Sequence, residues 1–358
     1  MISNLSFLFT TLLLCVVCTL TGCMKWDYGD LMEDFDSSGP GLFICNEGNF
    51  QYGNATLSYY NPATNTVENE VFFRANGMKL GDVAQSMTVY DNKGWIVVNN
   101  SHVIFAIDLN TFKELGRIEN LNSPRYIHFL NDEKAYVTQL WDNRIFIVNP
   151  KRYEIVGYIQ VPDMTMENGS TEQMVQYGKY VYCNCWSYQN RIIKIDTETD
   201  QVVDQLTVGI QPTSLVLDKY NKMWTVTDGG YEGSPYGYEA PALYRIDAET
   251  FTIENQFDFK LGDDPSELQL NGERDKLYWL NNDVWSMSVT EENVPTHPFL
   301  EYRNTKYYGL TIDPANGEVY VADAIDYQQQ GMIYRYSTEG KLIDEFYVGI
   351  TPGAFCWK

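Results

Sequence analysis

Two kinds of side chain are scarce in this 358-residue chain, histidines and bases. It has 3 histidines, and its 25 basic residues face 48 acidic ones. His102, His128 and His297 fall at unrelated places in the chain, so they predict no histidine metal centre. The formal net charge of −23 argues against a nucleic acid or an anionic lipid surface as a partner, because both require patches of Lys and Arg.

The first 40 residues differ in composition from the remainder. Residues 5 to 20 form an apolar run that ends in Leu20-Thr21-Gly22-Cys23. A short apolar segment before small residues is typical of a secretory signal, and the last four residues resemble a bacterial lipobox. We expect a signal peptide over 1–22, a lipidated Cys23 and an acidic, extended tether over 23–40. Residues 1 to 4 lack the usual positive charge, so a signal cut elsewhere or a membrane anchor is the alternative.

The tether carries five acidic residues soon after Cys23. Such a stretch resembles the export signal of surface lipoproteins in gut Gram-negative anaerobes, and it equally fits a solvated spacer. The export reading places the protein on the outer membrane, at the cell surface and held by lipid.

From residue 41 onward the sequence repeats. Seven aromatic-rich strands begin at intervals of about 41 to 54 residues. They are GLFICN (41–46), GWIVVN (94–99), AYVTQL (135–140), YVYCNC (180–185), MWTVTD (223–228), LYWLNN (277–282) and VYVADA (319–324). Each is followed by a strand of the type R-I-x-x-I-D, and often later by Pro and another apolar strand. Repeats of this length with four strands each indicate propeller blades.

We therefore predict an all-β fold over 41–358, a seven-bladed β-propeller of four-stranded antiparallel blades. A linear β-solenoid or a pair of β-sandwiches is the alternative. The domain opens on an aromatic-rich strand, the type that comes second in a blade. It ends on TPGAFCWK (351–358), an apolar strand of the type that comes first in a blade. The C-terminal strand should therefore pair with the N-terminal strands and close the ring.

Four of the 7 cysteines lie in the predicted domain. Cys183 and Cys185 stand two apart on one strand, a spacing that favours two small buried residues over a disulfide or a zinc site. Cys45 and Cys356 fall on strands that ring closure would make adjacent. An oxidising compartment permits a disulfide there, and two buried thiols are the alternative.

The blade order sorts the loops to two ends of the ring. One end, the short-turn face, collects charged turns such as 90–94, 130–134, 218–222 and 271–276. The other end, the loop face, collects longer segments rich in Asn, Gln, Asp, Tyr and Trp. They include 46–54, 76–86, 122–126, 162–173, 186–191, 209–214, 228–241, 261–267 and 323–331. Amides and aromatic rings on loops held by a rigid scaffold are typical of a recognition surface. Blade-filling aromatics and Asx turns are the alternative for any single residue.

Catalysis has little support in this pattern. No phosphate loop leads into a helix and no nucleophile elbow occurs. Loop-face carboxylates could hold a cation or act as acid and base, but paired acids arise easily in so acidic a chain. They are Glu47, Asp82, Asp142, Glu172, Asp228, Asp264 and Asp323. We expect a binding protein rather than an enzyme, with a surface glycan-binding accessory or a propeller lyase or lactonase as alternatives.

Segments throughout the domain carry a family resemblance. They include GLFICNEGNFQYGNATLSYY (41–60), NNSHVIFAID (99–108), NCWSYQNR (184–191), DGGYEG (228–233), VADAIDYQQQG (321–331) and PGAFCW (352–357). Together they resemble the YncE-like seven-bladed surface lipoproteins, and in particular the BtuG group. That resemblance implies capture of cobalamin (vitamin B12) or related corrinoids, and transfer to BtuB, a TonB-dependent outer-membrane transporter. It implies no cofactor other than the carried ligand.

A corrinoid is a broad macrocycle fringed with amides, and the loop face offers amides and aromatic rings to match. Sorting of the loops predicts these contacts: Asn49, Phe50, Gln85, Arg125, Tyr126, Trp141, Gln173, Trp186, Tyr188, Asn190, Asp228, Tyr231, Tyr308, Asp323 and Tyr327. No side chain need ligate the cobalt, and His102 is the one candidate for that role.

Overall fold

The computed structural model of the protein describes residues 35, 37, 39 to 301, 303 and 307 to 358. The predicted signal peptide, Cys23 and nearly all of the tether lie outside these residues. Strands of the described part form seven separate antiparallel sheets. The predicted seven-bladed β-propeller is confirmed.

The first three blades run from residue 42 to residue 160. Blade 1 contains β1 (Leu42–Asn46), β2 (Thr56–Asn61) and β3 (Thr66–Glu68). Blade 2 contains β4 (Ala84–Tyr90), β5 (Lys93–Val98), β6 (Val103–Asp108) and β7 (Glu114–Ile118). Blade 3 contains β8 (Pro124–Asn131), β9 (Lys134–Gln139), β10 (Arg144–Asn149) and β11 (Glu154–Gln160).

The remaining blades repeat this order. Blade 4 contains β12 (Met174–Tyr177), β13 (Tyr180–Cys185), β14 (Arg191–Asp196) and β15 (Gln201–Thr207). Blade 5 contains β16 (Pro212–Leu217), β17 (Lys222–Thr227), β18 (Ala242–Asp247) and β19 (Thr252–Asp258). Blade 6 contains β20 (Ser266–Leu270), β21 (Lys276–Asn281) and β22 (Asp283–Ser288). Blade 7 contains β23 (Tyr307–Ile312), β24 (Val319–Asp323), β25 (Gln330–Tyr336) and β26 (Leu342–Ile350).

The last strand closes the ring as predicted. β27 (Pro352–Trp357) joins the first sheet, whose order is β27, β1, β2, β3. Phe43 lies opposite Cys356 in this antiparallel pair, and the Lys358 N–H donates to the Gly41 carbonyl at 2.9 Å. The innermost strand of blade 1 therefore comes from the C-terminus, and its other three strands come from the N-terminus.

The blades are held together by their faces. All five residues of β1 are buried, because each face of the strand packs on a different neighbour. Leu42 and Ile44 join a cluster with Tyr320 and Ala322 of blade 7. Phe43, on the opposite face, joins a cluster with residues of blade 2. Sheets covered on both faces require continuous apolar strands rather than strict polar alternation, which explains sequences such as LFIC.

Seven hydrophobic clusters fill the seven spaces between neighbouring blades. Large rings dominate them, since Trp95, Trp224 and Trp279 are almost fully buried in the second strands of their blades. Burial of such side chains supplies most of the favourable free energy of folding in a structure of this kind.

Two local features differ from a uniform set of four-stranded blades. Blade 6 has three strands, and only an isolated bridge between Val284 and Leu300 marks its outer edge in the described residues. Pro295 and Pro298 precede that bridge, and proline cannot donate a hydrogen bond to a strand ladder. One helix, α1 (Val71–Asn76), links blade 1 to blade 2. Its six residues are too few for a helical period to show in the sequence.

Nowhere in the described residues is a helix both long enough and apolar enough to span a membrane.

Cys45, Cys183, Cys185 and Cys356 are all free thiols. Burial raises the pKa of the Cys356 thiol to about 12. Of the two states open to Cys45 and Cys356, the structure therefore has the unpaired one.

Phe43 offers a test of ring closure, because its ring packs against Tyr59 of its own blade and Phe112 of blade 2, with centroids 5.0 and 5.7 Å away. We expect Phe43→Ala to lower the free energy of unfolding by about 3–5 kcal/mol, the usual effect of removing a buried aromatic ring. Thermal and urea unfolding followed by circular dichroism measure this. Tyr347→Ala is the matched control, since Tyr347 is 57% exposed on an outermost strand; a similar loss for both variants would contradict the prediction.

Candidate ligand-binding site

A cavity of about 470 Å³ lies on the axis of the ring, and all seven blades contribute to its wall. Its lining comes mainly from the innermost strands near the loop face, and from loop residues such as Trp186, Asp228 and Tyr327. Pockets of this size bury small ligands or parts of larger ones. The loop face that the sequence predicts as a recognition surface therefore has a defined centre, which we name the axial cavity.

The innermost strands share a backbone irregularity that shapes this cavity. In six of them the register shifts near the end that meets the loop face. A β-bulge turns side chains away from the regular alternation of a strand. The residues at the equivalent step line the axial cavity in every blade: Gly353, Gln85, Arg125, Glu172, Thr213, Ser266 and Tyr308. We name these seven residues the bulge ring.

Glycine is required in the blade 1 position of the bulge ring. A Cβ on Gly353 would stand 2.4 Å from the Glu47 Oε1 atom and 3.1 Å from a ring carbon of Tyr308. The absence of a side chain lets these two groups meet. The Tyr308 hydroxyl then donates to the Glu47 carboxylate at 3.2 Å.

Arg125 and Glu172 form the charged pair of the bulge ring. The Arg125 Nε–H lies 2.9 Å from each Glu172 oxygen, and the Arg125 Nη1–H also donates to Gln85. Only 14% of the Arg125 side chain and 4% of the Glu172 side chain are exposed. Burial raises the pKa of Glu172 while the guanidinium opposes that rise. Removing either partner would leave an uncompensated buried charge.

Asp228 fixes the wall contributed by blades 4 and 5. The Trp186 indole N–H donates to it at 3.1 Å, and the Gln211 amide donates at 2.9 Å. The Gly230 backbone N–H adds a third bond at 2.8 Å. Trp186 also lies against the Arg125 guanidinium, 5.8 Å from ring centroid to Cζ. Two of these donors fix the carboxylate, and its bond to the indole N–H orients Trp186 in the cavity wall.

Glu47 and Glu267 are the two carboxyl groups with the largest change in acidity. Burial raises the pKa of Glu47 to about 7, against the opposing effects of Arg125 and Tyr308. Burial, followed by the charge of Glu47, raises the pKa of Glu267 to about 8. Both side chains lie deep in the ring, yet part of their surface still faces the cavity. Near neutral pH these groups exchange protons, and the charge of the axial cavity changes with them.

Eight of the fifteen contact residues predicted from the sequence line the axial cavity. They are Gln85, Arg125, Tyr126, Gln173, Trp186, Asp228, Tyr308 and Tyr327. The structure brings these eight together on one surface. Their contact with a ligand stays a prediction.

Three others, Trp141, Tyr188 and Tyr231, are aromatic residues of the loop face that lie outside the cavity wall. The ring centroids of Trp141 and Tyr188 are 6.3 Å apart, and Tyr188 stacks on Tyr236 with centroids 4.4 Å apart. Tyr231 is exposed in the same long segment as Tyr236. We name Trp141, Tyr188, Tyr231 and Tyr236 the aromatic rim. Sequence reasoning did not select Tyr236.

The last four lie apart from the cavity wall. Asn49 donates to the Tyr327 carbonyl, and Phe50 beside it is exposed. Asn190 is also exposed. Asp323 is fully buried, and its carboxylate accepts the Ile325 N–H at 2.8 Å. Asp323 therefore stabilises a turn in this structure, as an Asx residue does.

His102 and His128, two of the scarce histidines, have local partners. The Ser123 N–H donates to the His102 Nδ1 atom at 3.2 Å. His128 lies 3.2 Å from the Gln176 amide oxygen, and burial lowers its pKa. In the part of the chain that the structure describes, no group of three or more His, Cys, Asp or Glu side chains is arranged to hold a metal ion.

Glu267 and the bulge ring as a set are what sequence reasoning missed. The signal that could have found them is positional. In most blades the bulge-ring residue follows a Pro or Ala at the start of the innermost strand, as in Pro124-Arg125, Pro212-Thr213 and Pro265-Ser266. Aligning the repeats on that residue places the seven bulge-ring residues at one position of the alignment.

The family model described as a domain of unknown function (DUF5074) matches residues 40–349. The chain belongs to the DUF5074 family. A search of curated proteins finds no match.

Solved propellers share the fold of this DUF5074 chain. A quinonprotein alcohol dehydrogenase-like protein from Bacteroides thetaiotaomicron is similar with TM-score 0.65 and 16% identity, over 88% of this chain and 77% of that one. The periplasmic gluconolactonase PpgL of Pseudomonas aeruginosa has TM-score 0.64 and 11% identity, over 89% and 99%. A protein from Lactobacillus plantarum has TM-score 0.64 and 10% identity, over 89% and 99%. At these identities the likeness concerns the fold alone.

The acidity of Glu267 leads to a testable stability effect. Its pKa rises from 4.5 to about 8 on folding, so the folded chain keeps a proton that the unfolded chain has lost. This contribution to stability is present at low pH and is lost as the pH rises from about 4.5 to about 8. We expect the wild type to lose on the order of 2 kcal/mol of unfolding free energy between pH 5 and pH 8, and Glu267→Gln to be spared this loss. The magnitude is reduced because part of the side chain still faces water.

Urea unfolding of both proteins across this pH range measures the effect. Glu273→Gln is the control, because Glu273 is exposed on the short-turn face of the same blade. Parallel pH profiles for the wild type and Glu267→Gln would contradict the assigned acidity.

Proposed function

We propose that this protein is a surface-anchored binding protein for cobalamin or a related corrinoid, and not an enzyme. The observation that carries the proposal is the axial cavity, to whose wall each of the seven blades contributes at least one residue. The resemblance to the BtuG group supplies the ligand class.

The chemistry of the axial cavity supports an amide-rich ligand. Gln85, Gln173 and Asn282 line it and can both donate and accept hydrogen bonds. The carboxyl groups of Glu47 and Glu267 can accept hydrogen bonds from the amide N–H groups of a ligand. A corrinoid is much larger than the ligands that a cavity of this volume encloses. It would therefore lie across the mouth, with some of its amide side chains projecting into the cavity.

The aromatic rim supports the same placement. Trp141 is 43% and Tyr236 is 47% exposed, although the two are joined through the stack on Tyr188. Rigid rings supply contact area at a small loss of side-chain entropy. They would pack against the edge of a macrocycle that lies over the cavity.

Several side chains of the cavity wall are held in place by their neighbours, which supports tight binding of a ligand. Glu172 and Asp228 each accept several hydrogen bonds from neighbouring side chains. A site already held in its bound geometry loses little entropy when a ligand enters.

A lactonase role remains as an alternative, since Glu47 and Glu267 ionise in the range suited to a general base. Turnover of a lactone by the purified chain would favour it.

The aromatic rim supports a second candidate, a surface glycan-binding accessory. Tyr236 is exposed and stacks on the half-buried Tyr188, and exposed aromatic rings suit the flat faces of sugars. Calorimetric titration with a panel of polysaccharides separates this candidate from the first.

We further propose that lipid on Cys23 holds the protein on the outer membrane at the cell surface, beside a BtuB-like TonB-dependent transporter that receives the corrinoid. Lipid chains anchor a protein through burial of their methylene groups. No nucleic acid is expected among its partners, given the formal charge of −23.

Retention of a coloured ligand tests the corrinoid proposal. We expect the chain beginning at Met24 to turn red with cobalamin and to keep the colour through dialysis. Trp186→Ala should weaken binding by about tenfold or more, because it removes a ring from the cavity wall and releases the bond to Asp228. Absorbance and calorimetric titration measure both. Protein that is colourless after dialysis would overturn the proposal.

Tyr220→Ala is the matched control for that variant. Tyr220 is 53% exposed and belongs to the segment 218–222 of the short-turn face. Its removal should leave the affinity for cobalamin unchanged. Thermal unfolding of both variants separates lost contact from lost structure.

Anchoring has its own test. In a Gram-negative host that processes lipoproteins, we expect Cys23→Ser to move the protein from the membrane fraction to the soluble fraction, because the acylated thiol is gone. Labelling with a radioactive fatty acid and protease treatment of intact cells follow the lipid and the exposure. Membrane association that survives the substitution would contradict the anchor.

A further inference from the structure

The wall of the axial cavity carries more acidic than basic side chains. Its described lining contains five carboxylates and one guanidinium. They are Glu47, Glu172, Asp228, Asp264 and Glu267, and Arg125. Arg125 is already paired with Glu172 at 2.9 Å. The other carboxylates therefore have no cation of their own in the described wall, and a second anion placed among them would be repelled.

Glu267 differs from three of the other four carboxylates in what it contacts. Glu172 is held by Arg125 and Ser170, Asp228 by Trp186 and Gln211, and Glu47 by Tyr308. Within the described residues no hydrogen bond to the Glu267 carboxylate is formed. It lies on the cavity wall, ready for a bond from a ligand.

The backbone that presents Glu267 is strained. Its φ angle is 53°, in the left-handed region that a non-glycine residue seldom adopts. It falls within the register shift of β20, between Ser266 and Gln269. Such conformations persist where the surrounding structure enforces them, and they concentrate at functional sites. The bulge therefore turns this carboxyl group toward the axis.

Titratable and charged groups from several blades line the cavity together with Glu267. Glu47 at the end of β1 and Tyr308 on β23 stand on one side. Arg125 and Tyr126 on β8 come from another blade, followed around the wall by Glu172, Asp228 and Asp264. Burial raises the pKa of the Tyr126 and Tyr308 hydroxyls, so both stay protonated as donors. The groups whose charge changes near neutral pH are Glu47 and Glu267.

We propose that the axial cavity selects a neutral carboxamide on its ligand and rejects a carboxylate in the same place, with Glu267 as the selecting residue. The ligand class rests on the proposed function. An amide and a carboxylate have nearly the same shape, so shape alone cannot separate them. The selection is one of charge and of hydrogen-bond donors.

The chemistry of the pair explains the choice. A protonated Glu267 can donate its O–H to the amide oxygen of a ligand and accept an amide N–H in return. An ionised Glu267 still accepts the N–H. A ligand carboxylate has no donor, and it adds a negative charge beside Glu47 and Glu267 in a site of low effective dielectric.

The selection should grow with pH. Near pH 5.5 Glu47 and Glu267 are mostly protonated, and near pH 8.5 they are mostly ionised, since their pKa values are about 7 and about 8. A ligand carboxylate is ionised at both of these pH values. The ratio of affinities for amide and acid ligands is therefore expected to rise by about tenfold or more between them.

The probes are cobalamin and its monocarboxylic acids, in each of which one propionamide is hydrolysed to the acid. Calorimetric titration of the chain beginning at Met24, at about pH 5.5 and about pH 8.5, gives the affinity ratio for each acid. We expect at least one acid to bind more weakly than cobalamin, with a ratio that rises with pH. In Glu267→Gln the ratio at high pH should fall by about tenfold, because one negative charge is gone.

Glu273→Gln, on the short-turn face of the same blade, should keep the wild-type ratio. Failure of cobalamin and every acid to bind would overturn the proposed function, and the inference with it. Equal binding of cobalamin and all acids at both pH values would overturn the inference alone. A pH-dependent ratio that persists unchanged in Glu267→Gln would show that Glu267 is not the selecting residue.

Discussion

Every blade of this protein must be covered on both faces. The second strands are apolar along their whole length because alternate residues enter two different interblade clusters, as Leu42 and Phe43 do. A single blade could not bury these side chains, and a row of blades would leave one face bare at each end. A closed ring satisfies all the faces together. Closure therefore determines the rest of the structure, including the point on the axis where the innermost strands converge.

The axial cavity follows from that convergence. The same backbone irregularity recurs near the loop-face end of six innermost strands, while the residue at that step varies from Gly353 to Arg125 to Tyr308. The scaffold fixes where a side chain points, and the sequence chooses its chemistry blade by blade. A repeated fold can in this way build an asymmetric site without a change in its backbone. The charged pair of Arg125 and Glu172 and the acidic group at Glu267 occupy different parts of one wall.

Much of the fold could be predicted from the sequence, because the repeat is long and its second strand is distinctive. The strand GLFICN and the final PGAFCW were enough to predict closure. Blade 6 departs from the pattern, since Pro295 and Pro298 interrupt the ladder at its edge. The site was harder to predict. Sorting loops to one face brought together residues as different as Arg125, which lines the cavity, and Asp323, which is buried in a turn. A bulge changes which residue faces the axis, and no pattern of alternation reveals that shift. Glu267 was missed for this reason.

The seam between β27 and β1 has a consequence for the order of folding. Phe43 is among the first residues of the domain to emerge and Cys356 among the last, yet they lie opposite each other. Most blades can form from nearby sequence, but the blade that completes the circle must wait until β27 has been synthesised. Contacts between such distant segments form slowly, because loop closure costs entropy before any contact is gained. Until the last strand arrives, the inner edge of β1 is open to other chains. The six residues of β27 (Pro352–Trp357) thus complete the ring, and the interval before they pair with β1 is when the protein is most exposed to misassembly.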